Sequence, residues 1–345
     1  MKKNSQLSQI DVNQRKTLEK QQYRVIGSHS AVKVCGWTKN SIINKGNCYK
    51  QDFYGIKSHQ CMQMTSSLYC ANRCKFCWRD VKSPVSKTWY GNVDDVKFIV
   101  DNSIKEHVKL LQGFKGFEGA DEKKLEELKS PRHVALSLTG EPIVYPKINK
   151  LLEEFHKRNI STFLVTNAQF PSQIVKIKNI TQLYLSIDAP TKELMKEIDR
   201  PLFKDYWQRS LKSLKILSTR KYRTCIRLTL IKGLNDGDEY IQDYAKLIKL
   251  GKPHFVEIKS YMYVGASQKQ LKHENMLSTK EINSFTKKLL KYLKDYEYAA
   301  DHWPSRVSLI MKKSLKKKRF INFDKFFKIV NAGKSASVND YSCLN

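Results

Sequence analysis

Cys70-Ala-Asn-Arg-Cys74-Lys-Phe-Cys77 follows directly on the short run Gln63-Met-Thr-Ser-Ser-Leu-Tyr69. Three thiols in a CxxxCxxC spacing can each ligate one iron of a [4Fe–4S] cube and leave the fourth iron open to another ligand. Zinc is the alternative, with His59 as a nearby fourth ligand, although structural zinc sites favour paired CxxC spacings. Phe76, between the last two cysteines, is an aromatic that could lie beside a cofactor ring.

Outward from this motif the chain alternates short apolar runs with helical periodicity. Runs at 63–69, 133–138, 161–166, 182–187, 225–231 and 255–261 read as strands, with a candidate seventh at 306–311. Helical stretches lie between them: 93–112, 146–158, 192–199, 206–218, 239–250 and 279–296. In the first, Val96, Ile99, Val100, Ile104, Val108 and Leu111 fall on one face. Pro146 and Pro171 stand where first helical turns would begin. Such alternation with continuously apolar strands implies an α/β fold with a parallel sheet wrapped by helices. Six units are too few for a closed eight-fold barrel, so a partial (β/α)6 barrel is expected over residues 62–311. Residues 1–61 would form an arm, mobile over 1–30, and a loop-rich, ligand-held segment. Residues 312–345 would be a basic tail.

The N-terminal segment adds Cys35, Cys48 and Cys61, each separated from the next by twelve residues. As a zinc or disulfide set the trio is incomplete; as a second three-cysteine iron–sulfur cluster it repeats the logic of the first. Cys225 lies in an apolar strand and reads as core, and Cys343 has no visible partner.

Composition bounds the rest. The chain has 345 residues, with 63 Lys and Arg against 33 Asp and Glu, a net charge of +30. That excess favours a polyanionic partner, most simply a nucleic acid. The stretch 311–345 alone holds nine Lys or Arg against Asp324 and Asp340. Hydrophobic residues at 41% exclude wholesale disorder. No run is long and apolar enough for a membrane span, and no apolar segment follows the N-terminal lysines as a secretory signal would require. A reducing cytoplasm is expected, where clustered thiols bind metal.

The CxxxCxxC at the carboxyl end of a first strand resembles the radical S-adenosylmethionine superfamily. The resemblance implies that the amino and carboxylate groups of S-adenosylmethionine fill the open iron. An electron from the reduced cube then breaks the sulfonium bond and releases a 5′-deoxyadenosyl radical. Thr139-Gly140-Glu141-Pro142, ending the second strand, is similar to that superfamily's glycine–glutamate motif. Gly140 would let the backbone approach the ligand's ammonium. Asn167 ends the third strand, and Ser186 and Asp188 end the fourth, where ribose hydroxyls would need polar partners. Each alone could be a loop cap. Their shared placement at strand carboxyl ends is where parallel α/β folds put sites.

A narrower resemblance rests on CYKQDFYGI (48–56), CANRCKFCWRD (70–80), LSLTGEP (136–142), LVTNAQFP (164–171), SIDAP (186–190) and IDRPLF (198–203). Over roughly residues 31–311 these resemble the wyosine-base synthases of archaea and eukaryotes. The resemblance implies a tRNA-modifying enzyme. It would convert N1-methylguanosine at position 37 of phenylalanine tRNA, with two carbons from pyruvate, to tricyclic 4-demethylwyosine. Its cofactors would be S-adenosylmethionine and two [4Fe–4S] clusters, one on Cys70, Cys74 and Cys77, the other on Cys35, Cys48 and Cys61. The second would hold pyruvate. Lys50 matches a lysine placed by the extra cluster, and either forms a Schiff base with pyruvate or contacts a phosphate or carboxylate. Where a glycine is expected after Asn167 the chain has Ala168.

Eukaryotic members carry a flavodoxin-like domain ahead of this region. Only 34 residues precede Cys35, so the archaeal single-domain form is expected, acting as a monomer with an external donor such as flavodoxin or ferredoxin. The basic arm and tail would grip stem phosphates. Trp78, Arg79, Trp89 and Tyr90 would stack on a flipped base or pack the barrel rim. Arg227, Lys232, Glu257 and Lys259 would face the barrel mouth. A radical methylthiotransferase of tRNA and a non-enzymatic, metal-dependent RNA-binding protein are the other readings. The first needs a larger N-terminal domain and a terminal β-barrel; the second discards the chemistry.

Overall fold

A computed structural model describes residues 8–79 and 83–344, so residues 1–7 of the expected arm, Asp80 of the cysteine stretch and the last residue of the tail lie outside it. The chain opens with helix α1 (Val12–Lys20), a hairpin of β1 (Arg24–Ile26) and β2 (Ser30–Lys33), and short helices α2 (Gly36–Ile42) and α3 (Tyr49–Tyr54). Strand β3 (Cys61–Thr65) leads through the cysteine loop to α4 (Val96–Leu111) and α5 (Glu122–Glu127). The repeating part then runs β4 (His133–Leu136), α6 (Ile148–Lys157), β5 (Ser161–Thr166), α7 (Pro171–Ile174), β6 (Gln182–Ser186), α8 (Lys192–Asp199) and α9 (Tyr206–Leu217). It continues with β7 (Thr224–Leu230), α10 (Ile241–Gly251), β8 (Phe255–Ser260), α11 (Thr279–Leu290), β9 (Tyr296–His302) and β10 (Val307–Lys312). The last segment comprises β11 (Phe320–Ile321), α12 (Phe323–Asn331), α13 (Val338–Tyr341) and β12 (Ser342–Cys343).

Local signals explain the element ends. Asp95 caps α4 by accepting from the amides of Lys97 and Phe98, and Ile99, Ser103, His107 and Leu111 recur at helical spacing on its buried face. Ser278 and Glu281 close a capping box on α11.

β3 to β8 pair in parallel and in sequence order. The sheet has ten strands, ordered β1-β2-β3-β4-β5-β6-β7-β8-β10-β9, with antiparallel strands at both edges. The expected seventh strand therefore exists as β10, but runs antiparallel to β8. The arm expected to be mobile instead supplies α1 and the edge hairpin, which pairs with β3 through β2. The expected helix 279–296 stops at Leu290, and the chain returns as β9.

Side chains alternate between two cores, as the two-residue period of strands requires. Met62, Val134, Leu164, Leu183, Ile226 and Val256 face the outer helices. Phe163, Val165, Tyr184, Cys225 and Phe255 face inward, against Tyr49, Phe53 and Tyr54 of α3 and Val307, Leu309 and Met311 of β10. A flat sheet would separate β3 from β8 by about 24 Å. Yet six-residue α3 acts on Cys61 of β3 and lies against Phe163 and Tyr184 through Lys50, and touches Glu257 and Phe255 of β8 through Tyr54. The sheet is thus curled around α3 as an open barrel.

The basic C-terminal segment is docked, not free. Phe326, Phe327 and Tyr341 are buried in the inner core. Arg223, fully buried at the start of β7, donates to Gln182 Oε1, Ser342 Oγ and the Arg319 carbonyl. Since β10 runs antiparallel to β8, Lys313–Arg319 lie at the amino ends of the parallel strands. That is the end opposite the CxxxCxxC loop, so this lysine run does not frame the mouth. Among the described residues no helix is long and apolar enough to cross a membrane.

Candidate active site

The loop after β3 carries Cys70, Cys74 and Cys77. Cys70 is fixed by a bridge to Val85 and by its amide donating to the Pro84 carbonyl, while the Lys75 amide donates to the Ile198 carbonyl at the end of α8. The three thiols lie within each other's electrostatic reach, and Asn167 Nδ2 donates to Cys70 Sγ at 3.3 Å. Burial pushes the Cys70 thiol up to about 11 and Cys74 well above its ordinary value. Arg79 turns its guanidinium toward all three sulfurs and donates to the Asn72 and Pro84 carbonyls. It is therefore packed against the thiols and not displayed as a stacking platform.

The strand-end residues converge here. Glu141 is buried; its Oε2 accepts from the Asn167 amide at 3.0 Å, and its Oε1 has no hydrogen-bond partner. Burial raises its carboxyl to about 7. An orphaned carboxylate oxygen beside the thiols suits an incoming ammonium. Gly140 has φ +64°, and a Cβ there would stand 2.0 Å from the Ser67 carbonyl oxygen. Its immediate requirement is thus the close pass of the cysteine-loop backbone. Ala168 takes φ +63° without glycine's freedom, its carbonyl held by Ser213 Oγ at 2.6 Å. Thr139 lines a cleft of about 510 Å³ with Leu68, Arg79 and residues of α1, so α1 walls this end of the barrel.

Asp188 is buried, accepts from the Thr229 amide at 3.1 Å, and lies close enough to Cys74 to raise its thiol pKa; burial lifts its own carboxyl to about 6. Ser186 ends β6 in register with Arg227. Phe76 packs with Ile198, Ile231, Tyr261 and Leu271 over the ends of β7 and β8. Asp199 was not singled out from the sequence. It is buried beside Cys74 with Oδ1 unpartnered and its carboxyl raised by burial. The only signal for it was its place in the IDRPLF stretch.

The second thiol trio gathers at the other end of β3. Cys35 and Cys48 occupy the positions just before α2 and α3, in extended conformation and with no side-chain cap bond. Cys61 begins β3. Cys35, Cys48 and Cys61 lie within mutual electrostatic reach, with Lys50 beside them, and burial raises Cys48 and Cys61 to about 12. Neutral thiols in a buried cage release protons when a metal takes them. Among the described residues, no three His, Cys, Asp or Glu side chains stand close enough to hold a single metal ion. His59, the alternative zinc ligand, is instead bonded to Glu127.

Lys50 is buried inside the barrel, its Nζ 4.9 Å from the Tyr184 ring centroid, 5.5 Å from Phe163 and 5.9 Å from Tyr49. Glu257 anchors α3 beneath it, accepting from Tyr49 and Tyr54 hydroxyls at 2.9 Å each. Arg227 is its cross-strand neighbour. Lys259 donates to the Ser305 carbonyl at 2.6 Å, and burial and Arg227 hold its ammonium down at about 8. Lys232, by contrast, is at the surface in an ion pair with Glu281. Trp89 and Tyr90 pack on Tyr69, as a rim does.

A curled parallel sheet with a CxxxCxxC loop on its first parallel strand and a buried acid on the next defines a radical S-adenosylmethionine protein. A family model described as the radical SAM superfamily matches residues 64–248, and one described as wyosine base formation matches residues 250–312. A structure described as TYW1 with a lysine–pyruvate adduct bound is 38% identical, covers 91% of this chain and 99% of that one, and superposes with a TM-score of 0.80. An archaeal TYW1 crystal structure is 34% identical over the same shares, with a TM-score of 0.72. The S-adenosyl-L-methionine-dependent tRNA 4-demethylwyosine synthase of Oryza sativa subsp. japonica is 49% identical over 337 residues, 96% of this chain and 51% of that protein. The corresponding protein of Saccharomyces cerevisiae is 42% identical, over 94% and 42%. The chain belongs to the tRNA 4-demethylwyosine synthase family, and spans about half the length of the curated relatives it matches.

Proposed function

We propose that this chain converts N1-methylguanosine at position 37 of phenylalanine tRNA, with pyruvate, to 4-demethylwyosine. The observation that carries the reading is Lys50, a buried amine beside the Cys35, Cys48 and Cys61 trio and inside the barrel that the other trio closes. It is supported by similarity to a structure described as holding a lysine–pyruvate adduct.

Cys70, Cys74 and Cys77 would hold one [4Fe–4S] cluster and Cys35, Cys48 and Cys61 a second, each with three thiolates and one open iron. When bound, the first supplies the electron for reductive cleavage of S-adenosylmethionine, and the second a Lewis-acidic iron for pyruvate oxygens. The protein's own residues do the rest. Glu141 would take the ammonium of S-adenosylmethionine, and Asn167 orients Cys70 through its amide. Thr139, Ser186 and Asp188 would meet the remaining polar groups of the cofactor, and Phe76 would cover it. Lys50 would add to the keto carbon of pyruvate with loss of water, giving a Schiff base that accepts a carbon radical better than the ketone. Tyr184, Phe163 and Tyr49 exclude water from that amine. A separate protein such as flavodoxin or ferredoxin would deliver electrons to a cytoplasmic monomer.

The test is anaerobic incubation of the reconstituted chain with S-adenosylmethionine, labelled pyruvate and tRNA carrying N1-methylguanosine. The expected product is a tricyclic base retaining two pyruvate carbons. Borohydride should fix pyruvate on the Lys50 peptide of the wild type and leave Lys50→Arg unlabelled. A sulfur-containing product, or no base change with both clusters loaded, would overturn the reading.

A further inference from the structure

Beside the mouth lies a second groove of about 510 Å³ that the chemistry above does not use. Trp89, Phe170 and Phe203 form its apolar walls, and Lys87, Lys176 and Arg209 its charged ones; none of its lining residues is Asp or Glu. Arg209 lays its guanidinium 3.7 Å from the Phe203 ring centroid, while Asp205 and the Gln169 carbonyl fix its edge. Lys87 and Lys176 are exposed, and neither is within ion-pair distance of a carboxylate among the described residues.

The groove is joined to the site by short covalent steps. Tyr69, on its wall, precedes Cys70, and Phe170 stands three residues after Asn167, whose amide donates to the Cys70 sulfur. The Leu202 amide donates to the Ala71 carbonyl, fastening the Phe203 wall to the cysteine loop. Aromatic faces interleaved with unpaired cations are the chemistry of single-stranded nucleic acid: bases stack and phosphates meet the lysines. Stacked arginine adds a planar cation of the same kind. The cores of protein–protein interfaces, by contrast, are depleted of lysine.

We propose that this groove holds an unpaired nucleotide flanking the target base, stacked against Phe203 and Arg209 with its phosphates on Lys87 and Lys176. The proposal rests on the tRNA reading above. It would hold the loop beside the mouth while the target base swings into the barrel, and so divides positioning from chemistry.

The experiment uses the reconstituted full chain and an anticodon stem-loop RNA containing N1-methylguanosine. Phe203→Leu should raise Kd about tenfold or more, the range of one base–aromatic stack. Lys87→Gln combined with Lys176→Gln, both surface changes that spare folding, should lower the salt slope of log Kd by about two, one per phosphate contact. The KM for tRNA should rise in both while kcat at saturating RNA stays within about twofold. If the wild type bound the RNA and the lysine pair bound it with unchanged affinity and slope, the groove assignment would fail while the tRNA reading stood. If the wild type itself did not bind, the tRNA reading would fail. A lysine pair with normal RNA binding, slowed by a flavodoxin donor but not by dithionite, would assign the groove to the reductase and overturn the proposal.

Discussion

Glu257→Gln is the change that most directly tests how the barrel interior is held. The carboxylate accepts from Tyr49 and Tyr54 at 2.9 Å each and faces Arg227 across the β7–β8 ladder. Glutamine keeps one acceptor oxygen for one tyrosine and presents an amide donor to the other. It also removes the negative charge that acts on Arg227 from the neighbouring strand. One lost hydrogen bond to a charged group is about 1.5–3 kcal/mol. That loss is a sizeable share of a typical stability of about 5–15 kcal/mol. Thermal unfolding should fall by about 3–12 °C at the usual conversion for large domains. Because both tyrosines lie on α3, the Lys50 amine they frame should also lose its fixed position, and borohydride trapping of pyruvate should drop in the folded variant. A melting temperature within about 2 °C of wild type, with undiminished trapping, would refute the reasoning.

The other consequences are more local. Glu141 is raised by burial from an ordinary value of 4.5 to about 7, so the folded chain holds a proton there that the unfolded chain has lost. Its contribution to stability is present below the unfolded value and lost as pH rises through about 7, while an ammonium ligand favours the ionised form. Affinity for S-adenosylmethionine should therefore climb with pH up to about 7 and flatten above it; Glu141→Gln should abolish the slope in a binding titration. Cys74→Ala should end S-adenosylmethionine cleavage, whereas Cys48→Ala should retain uncoupled cleavage without tricyclic base. Iron should fall from about eight to about four per chain when Cys35, Cys48 and Cys61 are all replaced by alanine, and a constant content would remove the second cluster. The Tyr341 hydroxyl donates to the Thr181 carbonyl and accepts from the Arg223 amide, both at 3.0 Å. Tyr341→Phe should cost about 1–3 kcal/mol by urea unfolding, and no shift in midpoint would mean that the C-terminal segment is not locked there.

The parallel strands were legible because each is a short apolar run bounded by helical periodicity, and β4 and β5 begin where the pattern places them. The edge strands were not. β1 and β2 hold only three and four residues, too few for a period to register. β9, with the sequence YEYAADH, is largely half-exposed and carries acids that strands seldom favour. Both are held by pairing to a neighbour, a tertiary term that a linear pattern lacks. The same limit governs the site. Cysteine spacing named both thiol trios, and motif resemblance named Glu141 and Asn167. Glu257 and Arg227 could be placed on adjacent strands, but not given a role, since their link to Tyr49 and Tyr54 crosses some two hundred residues of chain. The docking of the lysine-rich tail was hidden for a related reason: charge density says what a surface attracts and nothing about which end of the barrel it covers.

The placement of the two trios follows from one strand. Cys61 begins β3 and Cys70 lies just beyond its end, and a five-residue strand rises about 13 Å between its first and last Cα. Two thiol trios tied to one rigid element cannot drift together or apart. The first faces the mouth, where α1 and the strand-end loops leave an opening. The second is sealed by α3, whose aromatic residues fill the amino end of the barrel. Lys50 stands on α3 two residues after Cys48, inside that seal, its amine screened from water by Tyr49, Phe163 and Tyr184. α3 is short and has little helical stability of its own. Its position is set by Glu257 from the barrel wall and by Arg319, which donates to the Asp52 and Phe53 carbonyls from the docked C-terminal segment. The segment that reads in sequence as a basic RNA-gripping tail thus acts, through α3, on the position of Lys50.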